Sequence, residues 1–147
     1  MPANQFAIDI DKKFEGFSAK PYICPAGAPT IGYGSTHYED GTAVKMTDQP
    51  VTRDRAEELL SVEQLRCDIK IRTRFGNIGP ARAGALGSFS YNLGFGALSG
   101  STLAKKVLAG DHAAASQQFG RWIYGGGRRL KGLVLRRTAE QRVYDFG

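Results

Sequence analysis

Cysteine is scarce in this sequence. Cys24 and Cys67 are the only two among 147 residues, which excludes a disulfide framework and suits synthesis in a reducing compartment. Histidine is equally rare, at two. His37 and His112 are scattered relative to the cysteines, with no C-x-x-C and no H-E-x-x-H, so no structural or catalytic metal is expected. No other cofactor is implied. No G-x-S-x-G turn is present to hold a strained serine nucleophile. Long apolar runs are missing as well: nothing approaches the roughly 18 residues of a membrane span. The opening stretch carries Asp9 and Asp11 in place of a continuous apolar core. It therefore reads as neither a secretory signal peptide nor a membrane anchor. There are no internal repeats and no long linker. A composition of 41% hydrophobic and 23% charged residues excludes a disordered chain. One domain over residues 1–147 is the expectation, since a chain of this length buries roughly two thirds of its unfolded surface.

Two things are abundant. Glycine, at 19 of 147 residues, is well above the usual roughly 7% and implies tight turns and close backbone approaches. Positive charge is the other, with a net of +6. Residues 121–147 hold seven bases (Arg121, Arg128, Arg129, Lys131, Arg136, Arg137, Arg142) against Glu140 and Asp145. The first 120 residues are nearly balanced, with 13 bases and 12 acids. A basic end implies a polyanionic partner, whether nucleic acid, anionic lipid or acidic wall polymer. A solvated basic helix with no partner is the plain alternative.

Hydrophobic spacing predicts the elements. Ala3 to Phe17 reads as a helix with Phe6, Ile10, Phe14 and Phe17 on one stripe. From Ser18 to about Met46 the helical period vanishes. Glycines there punctuate Tyr22-Ile23, Thr30 to Tyr33 and Thr42 to Val44, which predicts a small antiparallel sheet. Thr52 is a candidate cap for a long helix to about Phe75, with Ala56, Leu59, Leu60, Leu65 and Ile69 inward. Pro80 opens another helix, ending at Gly94, and Gly94 to Gly100 reads as a connector. Ser101 or Ser99 caps a short helix and Asp111 the next, which ends near Trp122. Gly125 to Gly127 reads as a loop. A last helix from about Gly132 to Tyr144 turns Leu133, Ala139 and Val143 inward. The fold class is α+β: an N-terminal helix, a small lobe over about 18–50, and a helical lobe over about 51–147.

One constellation carries chemistry. Glu15 ends the first helix between Phe14 and Phe17, where apolar neighbours favour the protonated carboxyl that a general acid requires. The helix dipole disfavours an acid at this end, and a locally unfavourable residue hints at function. An exposed helix-end glutamate is the alternative. Downstream, a hairpin brings a thiol, Cys24, and a hydroxyl, Thr30. Ile31-Gly32-Tyr33-Gly34 follows, where glycines let a ligand approach the backbone.

Glu15, eight residues, Cys24, five residues, Thr30 resembles the E-x8-[D/C]-x5-T signature of the phage-type lysozymes, a family of glycoside hydrolases. Further blocks appear in the family's order. They are F-E-G at Phe14–Gly16, T-I-G-Y-G at Thr30–Gly34 and Phe89-Ser90-Tyr91-Asn92-Leu93-Gly94. Later come Ser101-Thr102-Leu103, Ala109-Gly110-Asp111, Arg121-Trp122 and Gly132-Leu133 followed by Arg136-Arg137 and Glu140. The likeness spans nearly the whole chain. It implies a lysozyme-like fold with the active-site cleft between the lobes and bacterial peptidoglycan as substrate. It also implies a muramidase reaction at the β-1,4 bond between N-acetylmuramic acid and N-acetylglucosamine, ending in host cell lysis.

Carried over, Glu15 is the general acid, Cys24 stands where aspartate is usual, and Thr30 helps hold the attacking water. Tyr33, Gly34, Asn92, Trp122, Arg128 and Arg129 are candidate substrate contacts. For Trp122 a core position, and for Asn92 a structural amide, are the alternatives. The chain departs from the family pattern at Ser35, where histidine is common, and at Lys131, where proline is common. A monomer with no nucleic-acid partner is expected, held in the host cytoplasm until a separate pore admits it to the wall. A lytic transglycosylase also needs one acidic glutamate and is the rival. A non-catalytic wall- or nucleic-acid-binding module on this fold is the reading from another class, although the aromatic residues do not interleave the bases in a stacking pattern.

Overall fold

The computed structural model describes residues 3–147. Helix α1 (Gln5–Glu15) starts at Asn4, whose side-chain oxygen accepts from the Ala7 amide at 3.3 Å, and stops at Gly16, φ 69°. Its buried face is rotated from the expected stripe. Ala7, Ile8, Ile10 and Asp11 are buried, while Phe6, Phe14 and Phe17 are half-buried. Close packing on the central helix explains the rotation. A Cβ on Gly84 would meet the Phe6 Cβ at 2.5 Å, and one on Gly87 would meet the Ala7 Cβ at 3.1 Å. Only small residues fit at this crossing.

Strands β1 (Ser18–Ile23) and β2 (Pro29–Gly32) pair antiparallel, Tyr22 opposite Thr30, with a register shift between Ser18 and Tyr22. The third expected segment, Thr42 to Val44, forms no strand and contributes one bridge, His37 to Ala43. The chain turns at Gly32 and Gly34, at φ 67° and 88°, before a third strand can extend.

Helix α2 (Arg53–Phe75) follows its Thr52 cap, which accepts from the Arg55 amide at 3.1 Å. Ala56, Leu59 and Leu60 are buried as expected, but Leu65 is half-buried and Ile69 is 53% exposed. The buried line continues instead through Gln64, Asp68 and Ile71. Helix α3 (Pro80–Leu93) is central: it packs on α1 and α2 and on the last helix. It is buried at every residue from Ala83 to Ser90, which accounts for the absence of charged residues in that stretch.

The expected connector after α3 contains a short helix, α4 (Phe95–Ser99), set off by Gly94 at φ 93°. Ser101, not Ser99, caps α5 (Thr102–Leu108), accepting from the Ala104 amide at 3.0 Å. Asp111 caps α6 (His112–Gln118), and a 3-10 turn, Phe119–Arg121, follows. The expected loop at Gly125–Gly127 is a hairpin of β3 (Tyr124–Gly125) and β4 (Arg128–Arg129). Its turn uses Gly126 and Gly127, both at positive φ (58° and 76°), as a primed hairpin turn demands.

Helix α7 (Lys131–Phe146) differs most from its sequence reading. Leu133, Ala139 and Val143 are half-buried, and the buried side chains are Arg136, Arg137, Glu140 and Tyr144. Two of the seven bases of the basic end are therefore internal. The main core gathers Leu86, Phe89, Leu98, Leu103 and Phe119. No helix among the described residues is long and apolar enough to cross a membrane.

Candidate active-site cleft

A cleft of about 640 Å³ separates the β1–β2 hairpin from α2 and α3. Five of the sequence-predicted residues line it together: Glu15, Cys24, Thr30, Gly34 and Asn92. Glu15 enters from the end of α1. Its Oε1 accepts from an Arg136 terminal nitrogen at 2.7 Å, and its side chain is 23% exposed. The apolar surroundings expected from Phe14 and Phe17 are not realised. The Phe17 ring packs under the Arg53 guanidinium at 4.4 Å and against Tyr33 at 5.5 Å, while Lys13 covers Phe14. Glu15 Oε2 lies along Gly34, where an added Cβ would meet it at 2.7 Å and the Tyr91 hydroxyl at 3.4 Å. Glycine at 34 is thus required twice, by φ 88° and by the carboxyl beside it.

The carboxyl belongs to a buried charge cluster. The other terminal nitrogen of Arg136 donates to Asp11 Oδ1 at 2.7 Å, and the Gln64 amide donates to Asp11 Oδ2. Arg137 pairs with Glu140 at 2.7 Å and donates to Asn92 Oδ1 at 2.8 Å. Ser88 donates to Glu140 as well. Burial pushes the Asp11 carboxyl up, against the pull of Arg136 and of the Gln64 amide. Burial likewise pushes Glu140 up, opposed by Arg137 and Ser88. Charges this deep are tolerable because each has an opposite charge in contact.

Cys24 sits at the tip of the first hairpin, where its backbone amide donates to the Ala28 carbonyl at 3.0 Å. The Thr30 hydroxyl, then the backbone amides around Ala28, hold its thiol below the ordinary range. Sequence spacing could not supply this, because no charged residue flanks Cys24. Thr30 is buried and donates to the Ala28 carbonyl at 3.0 Å. Its single proton can turn instead to a thiolate.

The remaining predicted residues lie elsewhere. The Tyr33 ring is 5% exposed among Ile8, Ala56 and Leu60, and its carbonyl accepts from the Tyr91 hydroxyl at 2.8 Å. Trp122 packs edge-on against Phe89 at 5.3 Å, on the core side of the helical lobe. Arg128 and Arg129 are exposed on the β3–β4 hairpin and are not among the residues lining the cleft. Glu63, Tyr91, Arg66, Cys67 and Lys70 line the cleft without having been anticipated. Their signal was available: Glu63, Arg66, Cys67 and Lys70 recur at helical spacing, a polar face on a helix read only for its apolar residues. Asp11 likewise stands four residues before Glu15, on the same face. Arg136 gave no comparable signal, because 121 residues separate it from Glu15.

An N-terminal helix, a small antiparallel sheet and a helical lobe around one cleft are the lysozyme fold. The phage lysozyme family description matches residues 12–140. The endolysin of Acyrthosiphon pisum secondary endosymbiont phage 1 is 32% identical over 150 aligned positions, covering 99% of each chain. The endolysin of Bacillus phage PZA is 33% identical across the whole of this chain, which spans 56% of that protein's length. Among solved structures, the endolysin from Escherichia coli O157:H7 phage FAHEc1 superposes with a TM-score of 0.78 at 30% identity, covering 98% of this chain and 93% of the other. The chain belongs to the phage lysozyme family.

Proposed function

We propose that this chain is an endolysin-type muramidase that hydrolyses the β-1,4 bond between N-acetylmuramic acid and N-acetylglucosamine in peptidoglycan. One observation carries the reading. The Glu15 carboxyl is anchored through one oxygen by Arg136 and leaves the other along the Gly34 backbone, facing a cleft that also holds Cys24 and Thr30. Glu15 gives its proton to the glycosidic oxygen as the bond to the anomeric carbon breaks. Cys24 and Thr30 hold the water that attacks this carbon, and the Cys24 sulfur, as thiolate, takes the proton the water gives up, the part aspartate usually plays; the Thr30 hydroxyl favours that form. Gly34 and Asn92 contact the sugar chain. Tyr33 acts from beneath through the carbonyl that positions Tyr91, and Trp122 supports the lobe through Phe89. Arg128 and Arg129 draw the enzyme to anionic wall polymer from outside the cleft. Lysis of the host follows once a separate pore admits the protein from the cytoplasm to the wall.

The test is clearance of purified cell walls. Glu15→Gln keeps its shape, cannot donate the proton, and should lose about 10²–10⁴-fold in rate. A variant with half the wild-type rate removes Glu15 from the role. Cys24→Asp should stay active, whereas Cys24→Ser should lose most activity and full activity in Cys24→Ala sinks the thiol's part. One observation favours a second reading, a lytic transglycosylase: Cys24 supplies no second carboxylate. A 1,6-anhydro product end, in place of a free reducing sugar, would establish it.

A further inference from the structure

Glu63 has no part in the chemistry above, yet its carboxyl lines the same cleft. One face of α2 is turned to that space, carrying Glu63, Arg66, Cys67 and Lys70 at i, i+3, i+4 and i+7. The other acids around the cleft floor are secured: Glu15 and Asp11 by Arg136, Glu140 by Arg137. Glu63 is half-buried, and among the described residues no hydrogen bond or ion pair fixes its side chain. The cation nearest in sequence, Arg66, donates instead to the Glu39 carbonyl at 2.8 Å. The Tyr91 hydroxyl, which feels the charge of Glu63, is committed to the Tyr33 carbonyl. A half-buried carboxyl without a partner is costly unless something completes it. In a polar cleft open to a polysaccharide, the groups able to do so are hydroxyl and amide donors.

We propose that Glu63 is a substrate-binding residue: its carboxylate accepts a hydrogen bond from a hydroxyl or acetamido N–H of the amino-sugar chain in the cleft. The proposal rests on the peptidoglycan reading above and adds a contact to it. The groups facing Glu63 are Glu15 from α1, Arg66 from α2 and Tyr91 from α3, with Cys67 and Lys70 on the same helical face. Burial pushes Glu63 up to about 7, Arg66 opposes this, and the Glu15 charge adds to it. The accepting form therefore gains ground as pH rises through neutrality, and substrate binding tightens with it.

The experiment measures KM and kcat on soluble peptidoglycan fragments between about pH 5.5 and 8.5. In the wild type KM should fall about tenfold across this range, the size of a hydrogen bond to a charged group. Glu63→Gln should flatten the KM profile, and the loss should fall on KM rather than kcat. Glu63→Asp should restore a titrating limb, which a purely structural role would not require. A flat wild-type profile, or a Glu63→Gln profile that overlays the wild type, overturns the proposal. Fragment affinity measured on Glu15→Gln protein keeps the two readings apart. There the Glu63-dependent limb should persist, shifted to lower pH because the Glu15 charge is gone. That limb, in a protein whose wild type leaves walls intact, would keep the Glu63 contact and sink the hydrolase.

Discussion

Replacing Arg136 with methionine tests whether the buried charge cluster holds the cleft in shape. Methionine keeps an unbranched apolar stem and removes the guanidinium that joins α7 to Asp11 and Glu15, each at 2.7 Å. Asp11 is 0% exposed, so it cannot turn to water for compensation. Removing one partner of a buried pair typically costs about 3–5 kcal/mol. In a chain of this length each kcal/mol is worth roughly 2–4 °C in Tm, so Tm should fall by about 10–15 °C.

The deficit should depend on pH, and its sign is fixed. Burial already raises the Asp11 carboxyl above its ordinary 3.8, and Arg136 is the largest influence opposing that rise. Without Arg136 the folded-state value climbs further. Both folded proteins hold a proton that the unfolded chain releases above about pH 4, but the wild type gives it up near 8 while the variant keeps it and goes on losing stability. Wild-type Asp11 itself titrates at about 8, so the deficit should be level between about pH 4 and 7 and grow as pH rises past 8, read by calorimetry at several pH values. Asp11→Asn combined with Arg136→Met removes the stranded carboxyl and should recover more than half of the loss and flatten its pH dependence. Activity should fall about 10²-fold even at temperatures where the variant is folded, because Glu15 loses the anchor on Oε1. A Tm change within about 3 °C, or a deficit largest in acid, would refute the reasoning.

Three further outcomes are expected. Gly34→Ala should cost about 1–2 kcal/mol in backbone strain and most of the wall-clearing rate, since its Cβ would stand 2.7 Å from a Glu15 carboxyl that Arg136 already pins; normal kinetics would show that the carboxyl can move aside. Iodoacetamide near pH 7.5 should modify Cys24 before Cys67, because Thr30 and neighbouring amides lower the first thiol while burial raises the second. Thr30→Val should slow that reaction, and mass spectrometry identifying Cys67 as the faster site would contradict the assignment. Ser101→Ala should destabilise by about 1 kcal/mol in urea titrations, because its hydroxyl caps α5 and also donates to the Leu98 carbonyl at 2.6 Å; an unchanged midpoint would mean that water replaces the cap.

The helices were legible because their signals are local. Thr52, Ser101 and Asp111 are caps within three residues of the amides they satisfy, and Gly94 ends its helix through its own φ. The Glu15–Cys24–Thr30 spacing was legible for the same reason: one helix end and one hairpin span all three. Side-chain partners were not legible. Arg136 and Arg137 read as part of an exposed basic end, but tertiary packing brings Glu15, Asp11 and Glu140 against them and makes their burial tolerable. Gln64 and Asp68 took inner positions that periodicity assigned to Leu65 and Ile69. Phe14 and Phe17 were expected to enclose Glu15, yet close packing at Gly84 and Gly87 rotates α1 and turns them elsewhere. Periodicity records whether a side chain is polar, and that suffices where burial follows from hydrophobicity. Whether a charge can be buried depends on an opposite charge arriving from a distant part of the chain, and only the assembled fold decides that.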